Sequence, residues 1–250
     1  MADRLTGKVA VITGAGSGFG EGIAKRFAEE GARVVVADLN GEAAARVAGE
    51  IGASAVAVTA DVTLRADVER MIKAASRGFG RLDILINNAG YSHRNKSLLE
   101  VSEEEFDRIL AVNARAIYLS TLAVVPIMEA QGGGVILTTA STAGLRPRPG
   151  LTWYNASKGW AITASKSMAA ELAPKNIRVN ALCPVAGETG MLHLFMGEDT
   201  PEKRAQFKAS IPLGRLSKPM DMANAALWLA SDEAEFITGV ALEVDGGRCI

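Results

Sequence analysis

Val9-Ala10-Val11-Ile12-Thr13-Gly14-Ala15-Gly16-Ser17-Gly18-Phe19-Gly20 sets a run of apolar residues directly against a glycine-rich turn. The run has the length of a strand. Beyond the turn, Phe19, Ile23 and Phe27 recur at four-residue steps on one helix face, and Gly31 supplies a left-handed stop. A strand that turns sharply into a helix leaves backbone N–H groups and the positive helix end facing the turn, where a pyrophosphate can sit. A tight turn alone accounts for one or two glycines, hardly for Gly14, Gly16, Gly18 and Gly20 together. The spacing is not G-x-G-x-x-G, since Phe19 and Glu21 stand where the third glycine belongs; it is G-x-x-x-G-x-G through Gly14, Gly18 and Gly20.

Further apolar runs follow at Val34-Val35-Val36, Ala55-Val56-Ala57-Val58, Ile84-Leu85-Ile86, Val135-Ile136-Leu137, Ile177 to Leu182 and Val240 to Val244, separated by segments with helical spacing. This alternation predicts an α/β, Rossmann-like doubly wound fold, with a seven-stranded parallel sheet and helices on both faces. Continuous rather than alternating hydrophobicity requires both faces of the strands to be covered. Two long helices are expected, roughly 103–129 with Pro126 bending or ending it, and roughly 153–173. Their apolar content exceeds one stripe, so that packing on the sheet is expected to leave a remainder for a subunit contact. No repeat, charge block or linker divides the chain, which reads as one domain over residues 1–250 with a substrate lid at about 185–212.

At 250 residues, 48% hydrophobic and 22% charged, the composition is that of an ordinary soluble chain. Lys+Arg 27 against Asp+Glu 28 gives a net charge of −1, which argues against nucleic acid or an anionic membrane surface as partner. Met1 to Lys8 lacks the series of a signal peptide, and no stretch approaches the uninterrupted apolar length of a membrane span; a cytoplasmic protein is expected. Cys183 and Cys249 support neither a disulfide framework nor a zinc site.

Candidate site residues gather after the strands. Asp38 ends the second strand at about the ~20-residue offset where a carboxylate hydrogen-bonds adenosine ribose hydroxyls and repels a 2′-phosphate; the alternative is a solvated Asp after a strand. Neither Ser17 nor Leu39 is basic, which favours NAD over NADP. Asp61-Val62 and Asn87-Asn88-Ala89-Gly90 follow the third and fourth strands, at the carboxyl ends where open sheets bind ligands. Tyr154 and Lys158 lie four residues apart on one face of a helix. A phenol of ordinary pKa about 10 is a poor base at neutral pH, but an adjacent ammonium and a positive nicotinamide favour the phenolate. Taken alone, that spacing is more often a surface pair.

T-G-x-x-x-G-x-G at Thr13 to Gly20, N-N-A-G at Asn87 to Gly90, and Y-x-x-x-K at Tyr154 to Lys158, with Ser141 thirteen residues before the tyrosine, occur in order. In these motifs the sequence resembles the short-chain dehydrogenase/reductase family, from Gly7 to Gly247. The resemblance implies NAD-dependent hydride transfer that oxidises a secondary alcohol, polyol or hydroxy acid, or reduces the corresponding carbonyl. It implies that Tyr154 is the acid/base, that Lys158 holds the nicotinamide ribose and lowers the tyrosine's pKa, that Ser141 hydrogen-bonds the reacting oxygen, and that Asn113 anchors a water in a relay to Lys158. Gly14, Ser17, Gly18, Phe19, Gly20, Asp38, Leu39, Asp61, Val62, Asn88, Ala89, Gly90, Pro184 and Thr189 would bind the cofactor with Tyr154 and Lys158. A homotetramer is implied, joined through the long helices and the carboxyl-terminal segments, with Cys249 and Ile250 near a contact. No metal is needed for this chemistry. The chain departs from the family's P-G-x-(I/V)-x-T with Pro184-Val185-Ala186-Gly187-Glu188-Thr189, in which the glycine has moved two places.

The substrate pocket is expected from Tyr91, Ser92, His93 and Arg94, from Thr142, Ala143, Leu145 and Arg146, and from the segment Glu188 to Asp199, read as an apolar lid or an ordinary amphipathic helix. Arg94, Lys96, Arg146 and Arg148 offer cations for an anionic group, although loop arginines are usually solvated. His93 and His193 are not spaced as a metal pair. Two other functions fit the motifs less closely: a carrier-linked 3-oxoacyl reductase of the same family, and a non-catalytic NAD(H)-binding sensor.

Overall fold

Seven strands pair in parallel in the order β3-β2-β1-β4-β5-β6-β7: β1 (Val9–Thr13), β2 (Arg33–Asp38), β3 (Ala55–Thr59), β4 (Ile84–Asn87), β5 (Gly134–Thr139), β6 (Ile177–Pro184) and β7 (Ala241–Val244). This computed structural model describes residues 3–198 and 200–250, so Asp199, the last residue of the expected pocket segment, lies outside the described residues. Nine α-helices are described: α1 (Gly18–Glu29), α2 (Gly41–Ile51), α3 (Arg65–Phe79), α4 (Glu103–Leu110), α5 (Ala116–Gln131), α6 (Thr152–Leu172), α7 (Leu192–Met196), α8 (Pro201–Ala209) and α9 (Pro219–Ala230). The seven-stranded, doubly wound α/β architecture read from the sequence is the one observed.

The apolar runs are continuous because alternate residues serve two cores. Ala10, Ile12, Val34, Val36, Ile84 and Ile86 face Ile23, Phe27 and Leu227 of α1 and α9, while Val9, Val11, Val35 and Leu85 face Met71, Leu119 and Met128 of α3 and α5. Each fully buried aliphatic side chain contributes about 1.5–3 kcal/mol. Continuous hydrophobicity overstated burial at the two edge strands. Ala57 and Thr59 of β3 and Glu243 of β7 reach solvent, because an outer strand has a neighbour on one side only.

The helix expected over 103–129 is interrupted. Ser102 caps α4 with a reciprocal box to Glu105, and the ladder then opens into a π-turn over Ala111–Arg115 before α5 begins. Pro126 does not end α5, which stops at Gly132 with φ +85°. The helical stretch Glu103–Gln131 is 29 residues long and holds an 18-residue window with a mean hydropathy of 1.5, enough to cross a membrane by length and composition, but Asn113 and Arg115 interrupt its apolar run. Its π-turn and the packing of Leu119, Val124 and Met128 against α3 and the sheet make it a core helix.

The strand order reverses between β1 and β4. β1 takes β2 on one side, Val9 opposite Arg33, and β4 on the other, Ala10 opposite Ile84. The crossovers therefore leave in opposite directions and open a crevice at the carboxyl ends of these strands, the usual ligand site of such sheets.

Candidate active site

The glycine turn is stitched to the end of β4. The Asn88 side-chain amide donates to the carbonyls of Thr13 at 2.9 Å and Gly14 at 3.2 Å, while the Thr13 hydroxyl accepts from the backbone N–H groups of Asn88 and Ala89 at 2.9 and 3.0 Å. Gly14 and Gly18 have φ +62° and +57°, in the left-handed region that favours glycine, and a Cβ on Gly14 would lie 2.9 Å from the Ala89 Cα. Gly20 is packed behind this wall. A Cβ there would overlap the Gly14 carbonyl oxygen and stand 2.5 Å from the Asn88 amide nitrogen. Gly20→Ala is therefore expected to cost about 1–3 kcal/mol through overpacking, read as a lowered unfolding midpoint in calorimetry; an unchanged midpoint would count against this tight packing.

Asp38 is oriented by the same turn. Its carboxylate accepts from the Gly16 N–H at 2.8 Å and the Asn40 N–H at 2.9 Å. Behind it Arg46 donates to the Gly16 carbonyl at 3.0 Å and pairs with Glu21 and Glu50, each at 2.8 Å. The Arg46 guanidinium holds the Glu21 carboxyl down at about 2.

A cavity of about 390 Å³ runs from Asp38 and Leu39 past the glycine turn, Asp61-Val62 and Asn88-Ala89-Gly90 to Ser141, Tyr154 and Lys158, and back along Pro184 and Thr189. Every catalytic or cofactor-binding residue named from the sequence lines it except Gly20 and Asn113. The donor set and the cradle fit a dinucleotide. Ser17 forms no side-chain cap, which leaves the first N–H groups of α1 at the cavity, and a Cβ on Gly18 would crowd the Thr189 side chain at 3.3 Å.

Tyr154 and Lys158 sit one turn apart on α6 and are both buried. The Lys158 ammonium donates to the Thr139 carbonyl at 2.8 Å and lies 5.7 Å from the centre of the Tyr154 ring. Burial pushes the phenol up to about 12, opposed by the Ser141 hydroxyl and the charge of Arg148, and burial pulls the lysine down to about 8. The expectation that Lys158 lowers the tyrosine's pKa is not met in the protein alone. The ammonium is committed to a carbonyl, and desolvation outweighs it.

Asn113 lies in the π-turn, where its amide donates to the Tyr91 carbonyl and the Ser157 hydroxyl, both at 2.9 Å, and accepts from the Tyr91 N–H at 2.9 Å. The Asn113 oxygen and the Lys158 nitrogen converge on Gly90, where a Cβ would be 3.7 and 3.6 Å from them. Ser141 follows β5, and its hydroxyl accepts from the Ala143 N–H at 3.0 Å.

At the far end Tyr91, Thr142, Ala143, Leu151, Met191 and Phe195 line the cavity, the Phe195 ring 5.3 Å from that of Tyr154. Several expected pocket residues are elsewhere. Ser92 and His93 are buried, with His93 Nδ1 2.7 Å from the Arg94 carbonyl; Arg94 is exposed outside the cavity; Leu145 and Arg146 face away, Arg146 donating to the carbonyls of Arg248 and Ile250. Lys96 pairs with Glu105 at 2.7 Å. Of the apolar residues in 191–196, Leu192 and Met196 pack inward on Val185, Ile211 and Leu216, so that segment carries a small core of its own. The displaced glycine has a steric cause. Any side chain at Gly187 would collide with the Phe19 ring.

Residues 14–248 match a family described as enoyl-(acyl carrier protein) reductase. The 4-formylbenzenesulfonate dehydrogenase TsaC1/TsaC2 of Comamonas testosteroni is 48% identical, over 99% of this chain and 100% of its own. A 3-ketoacyl-(acyl-carrier-protein) reductase from Brucella melitensis, solved with NADH, superposes with a TM-score of 0.94 at 54% identity, over 98% of this chain and 100% of its own. A short-chain type dehydrogenase/reductase from Mycobacterium marinum superposes with a TM-score of 0.90 at 36% identity, over 98% and 96% of the two chains. The chain is a short-chain dehydrogenase/reductase.

Membership makes it an oxidoreductase of hydroxyl and carbonyl groups. Three parts of this dehydrogenase/reductase site left no signal in its sequence: Arg46 behind Asp38, the Thr139 carbonyl that holds Lys158, and Arg108, which lines the cavity from α4. Arg46 and Arg108 sit in ordinary charged helix segments, and the carbonyl belongs to no side chain. Only long-range packing singles them out.

Proposed function

We propose that this short-chain dehydrogenase/reductase transfers hydride between NAD(H) and a secondary alcohol, polyol or hydroxy acid and its carbonyl partner, with Tyr154 as the acid/base. The observation that carries the reading is a single cavity with Asp38 at one end and Tyr154, Ser141 and Lys158 at the other. NAD⁺, when bound, supplies the hydride acceptor and a positive ring. Asp38, fixed by two backbone N–H groups, accepts from ribose hydroxyls and repels a 2′-phosphate. Ser141 donates to the substrate oxygen; Tyr154 takes its proton in oxidation and returns it in reduction; Lys158 passes the proton on to a water that Asn113 anchors, the two side chains converging at Gly90. The residues at 185–212 form the substrate lid, within a single domain over 1–250. Tyr118 and Leu122 on α5 and Trp160 on α6 are apolar and about half exposed, which supports a homotetramer through these helices in a soluble, cytoplasmic protein.

The test is a panel of secondary alcohols and ketones followed by nicotinamide absorbance in both directions across pH. Because oxidation needs the phenolate and burial holds the phenol up, kcat/KM for oxidation is expected to rise with pH through neutrality into the mildly alkaline range. Reduction needs the phenol, which burial keeps protonated over that range, and is expected to stay level there and to fall only at higher pH. NADPH turnover equal to that with NADH, or a preference for carrier-linked 3-oxoacyl substrates, would favour the reductase reading. Tight NADH binding without turnover of any panel member would favour a sensor.

A further inference from the structure

The proton-transfer scheme leaves two arginines in the cavity without a task. Arg148 reaches it from the segment before α6, with its guanidinium 4.6 Å over the Phe207 ring of α8. On another part of the wall, Arg108 of α4 lies 4.4 Å over the Tyr91 ring. Among the described residues no carboxylate pairs with either, whereas Lys96 and Arg46 are paired and Arg146 is spent on backbone carbonyls. An aromatic ring under a guanidinium fixes its plane and leaves its N–H edge free for a planar or tetrahedral oxyanion.

Arg148 is only partly exposed, and the charge that weighs on it most, Arg248, has the same sign. Both burial and that neighbour disfavour its cation and lower its pKa. A desolvated cation facing another cation is costly unless an anion completes the site. Beside Tyr154, Ala143, Leu151 and Phe195 pack together and give the cavity an apolar wall.

We propose that Arg148, assisted by Arg108, receives a fixed oxyanion on the substrate, a carboxylate or a sulfonate at the far end of an apolar body whose other end carries the reacting carbon. The substrates are then anionic alcohols and their carbonyl partners; this rests on the hydride-transfer reading above. Arg148 binds, and Tyr154 handles the proton.

The test separates binding from turnover. In the NADH complex of Tyr154→Phe, quenching of NADH fluorescence gives Kd for 4-acetylbenzoate, 4-acetylbenzenesulfonate and the neutral 4-acetylbenzamide. At least one anion is expected to bind about 10- to 100-fold more tightly than the amide, as a charge-assisted fork provides, and the tighter anion identifies the group. Adding Arg148→Met is expected to collapse that ratio towards one, Arg148→Lys to keep part of it, and Arg94→Met, outside the cavity, to keep it whole. A ratio near one in the parent, failure of every probe to bind, or a ratio that survives both Arg148→Met and Arg148→Lys in folded protein overturns the assignment. If the ratio behaves as expected but the unmutated chain oxidises no NADH with any of the ketones, the anion site stands and the hydride-transfer reading falls.

Discussion

Tyr154→Phe is expected to lower kcat/KM for both oxidation and reduction by about 10²–10⁴-fold, the range a positioned acid/base contributes, while NADH binding survives. The substitution removes one oxygen and little else. The ring packs with Ala143, Leu151 and Phe195, contacts that phenylalanine keeps, so the fold and the cavity wall are retained. The lost hydroxyl is the one group in the cavity that combines a proton to exchange with neighbours favouring its anion, namely Ser141 and the charge of Arg148. Lys158 is held at the Thr139 carbonyl, where it hands the proton on rather than replacing the phenol. Steady-state kinetics with a fluorescence titration of NADH reads both halves. Activity within about tenfold of the parent, with binding intact, would move proton transfer to another group.

The second large effect concerns the choice of cofactor. Asp38→Asn is expected to cut the preference of kcat/KM for NAD over NADP by about 100-fold, mostly through a lower KM for NADP, because like charges brought together cost several kcal/mol and the amide removes one of them. The amide has the same shape, but it loses an acceptor, so one of the two bonds from the Gly16 and Asn40 N–H groups is given up and NAD binding weakens a few-fold as well. Among the described residues no unpaired cation stands beside Asp38 to accept a 2′-phosphate. Leu39 is exposed and apolar, and Arg46, the nearest arginine to the turn, is already engaged by Glu21, Glu50 and the Gly16 carbonyl. Full conversion to NADP therefore needs Arg46 released as well. An unchanged ratio in Asp38→Asn would mean that the carboxylate is not what discriminates.

Much of this protein was legible in the order of its residues. The strands were marked by apolar runs, the glycine turn by its spacing after the first of them, and Tyr154 and Lys158 by a four-residue separation that pointed to a site only together with the other motifs of the family resemblance. These are short-range patterns, set by the period of a strand or a helix and by the steric demands of a turn, so the sequence alone carries them. Asp38, Asp61-Val62 and Asn88 to Gly90, placed after three different strands, line one cavity, since a parallel sheet brings the carboxyl ends of its strands together. Asn113 was named as a water anchor within the helix expected over 103–129, but nothing there showed that the backbone would open into a π-turn to seat it against Tyr91 and Ser157.

What the tertiary structure alone decided is which charges have partners and which have none. Four loop cations looked alike in the sequence; folding gave Lys96 a glutamate and Arg146 two carbonyls, left Arg94 in solvent, and put Arg148 in the cavity, whose wall also carries the unforeseen Arg108. It also decided that burial, not the neighbouring ammonium, dominates Tyr154 in the protein alone, and that Phe19 requires the glycine at 187. Burial and ion pairing depend on residues tens or hundreds of positions apart, and no local pattern encodes the distance between them.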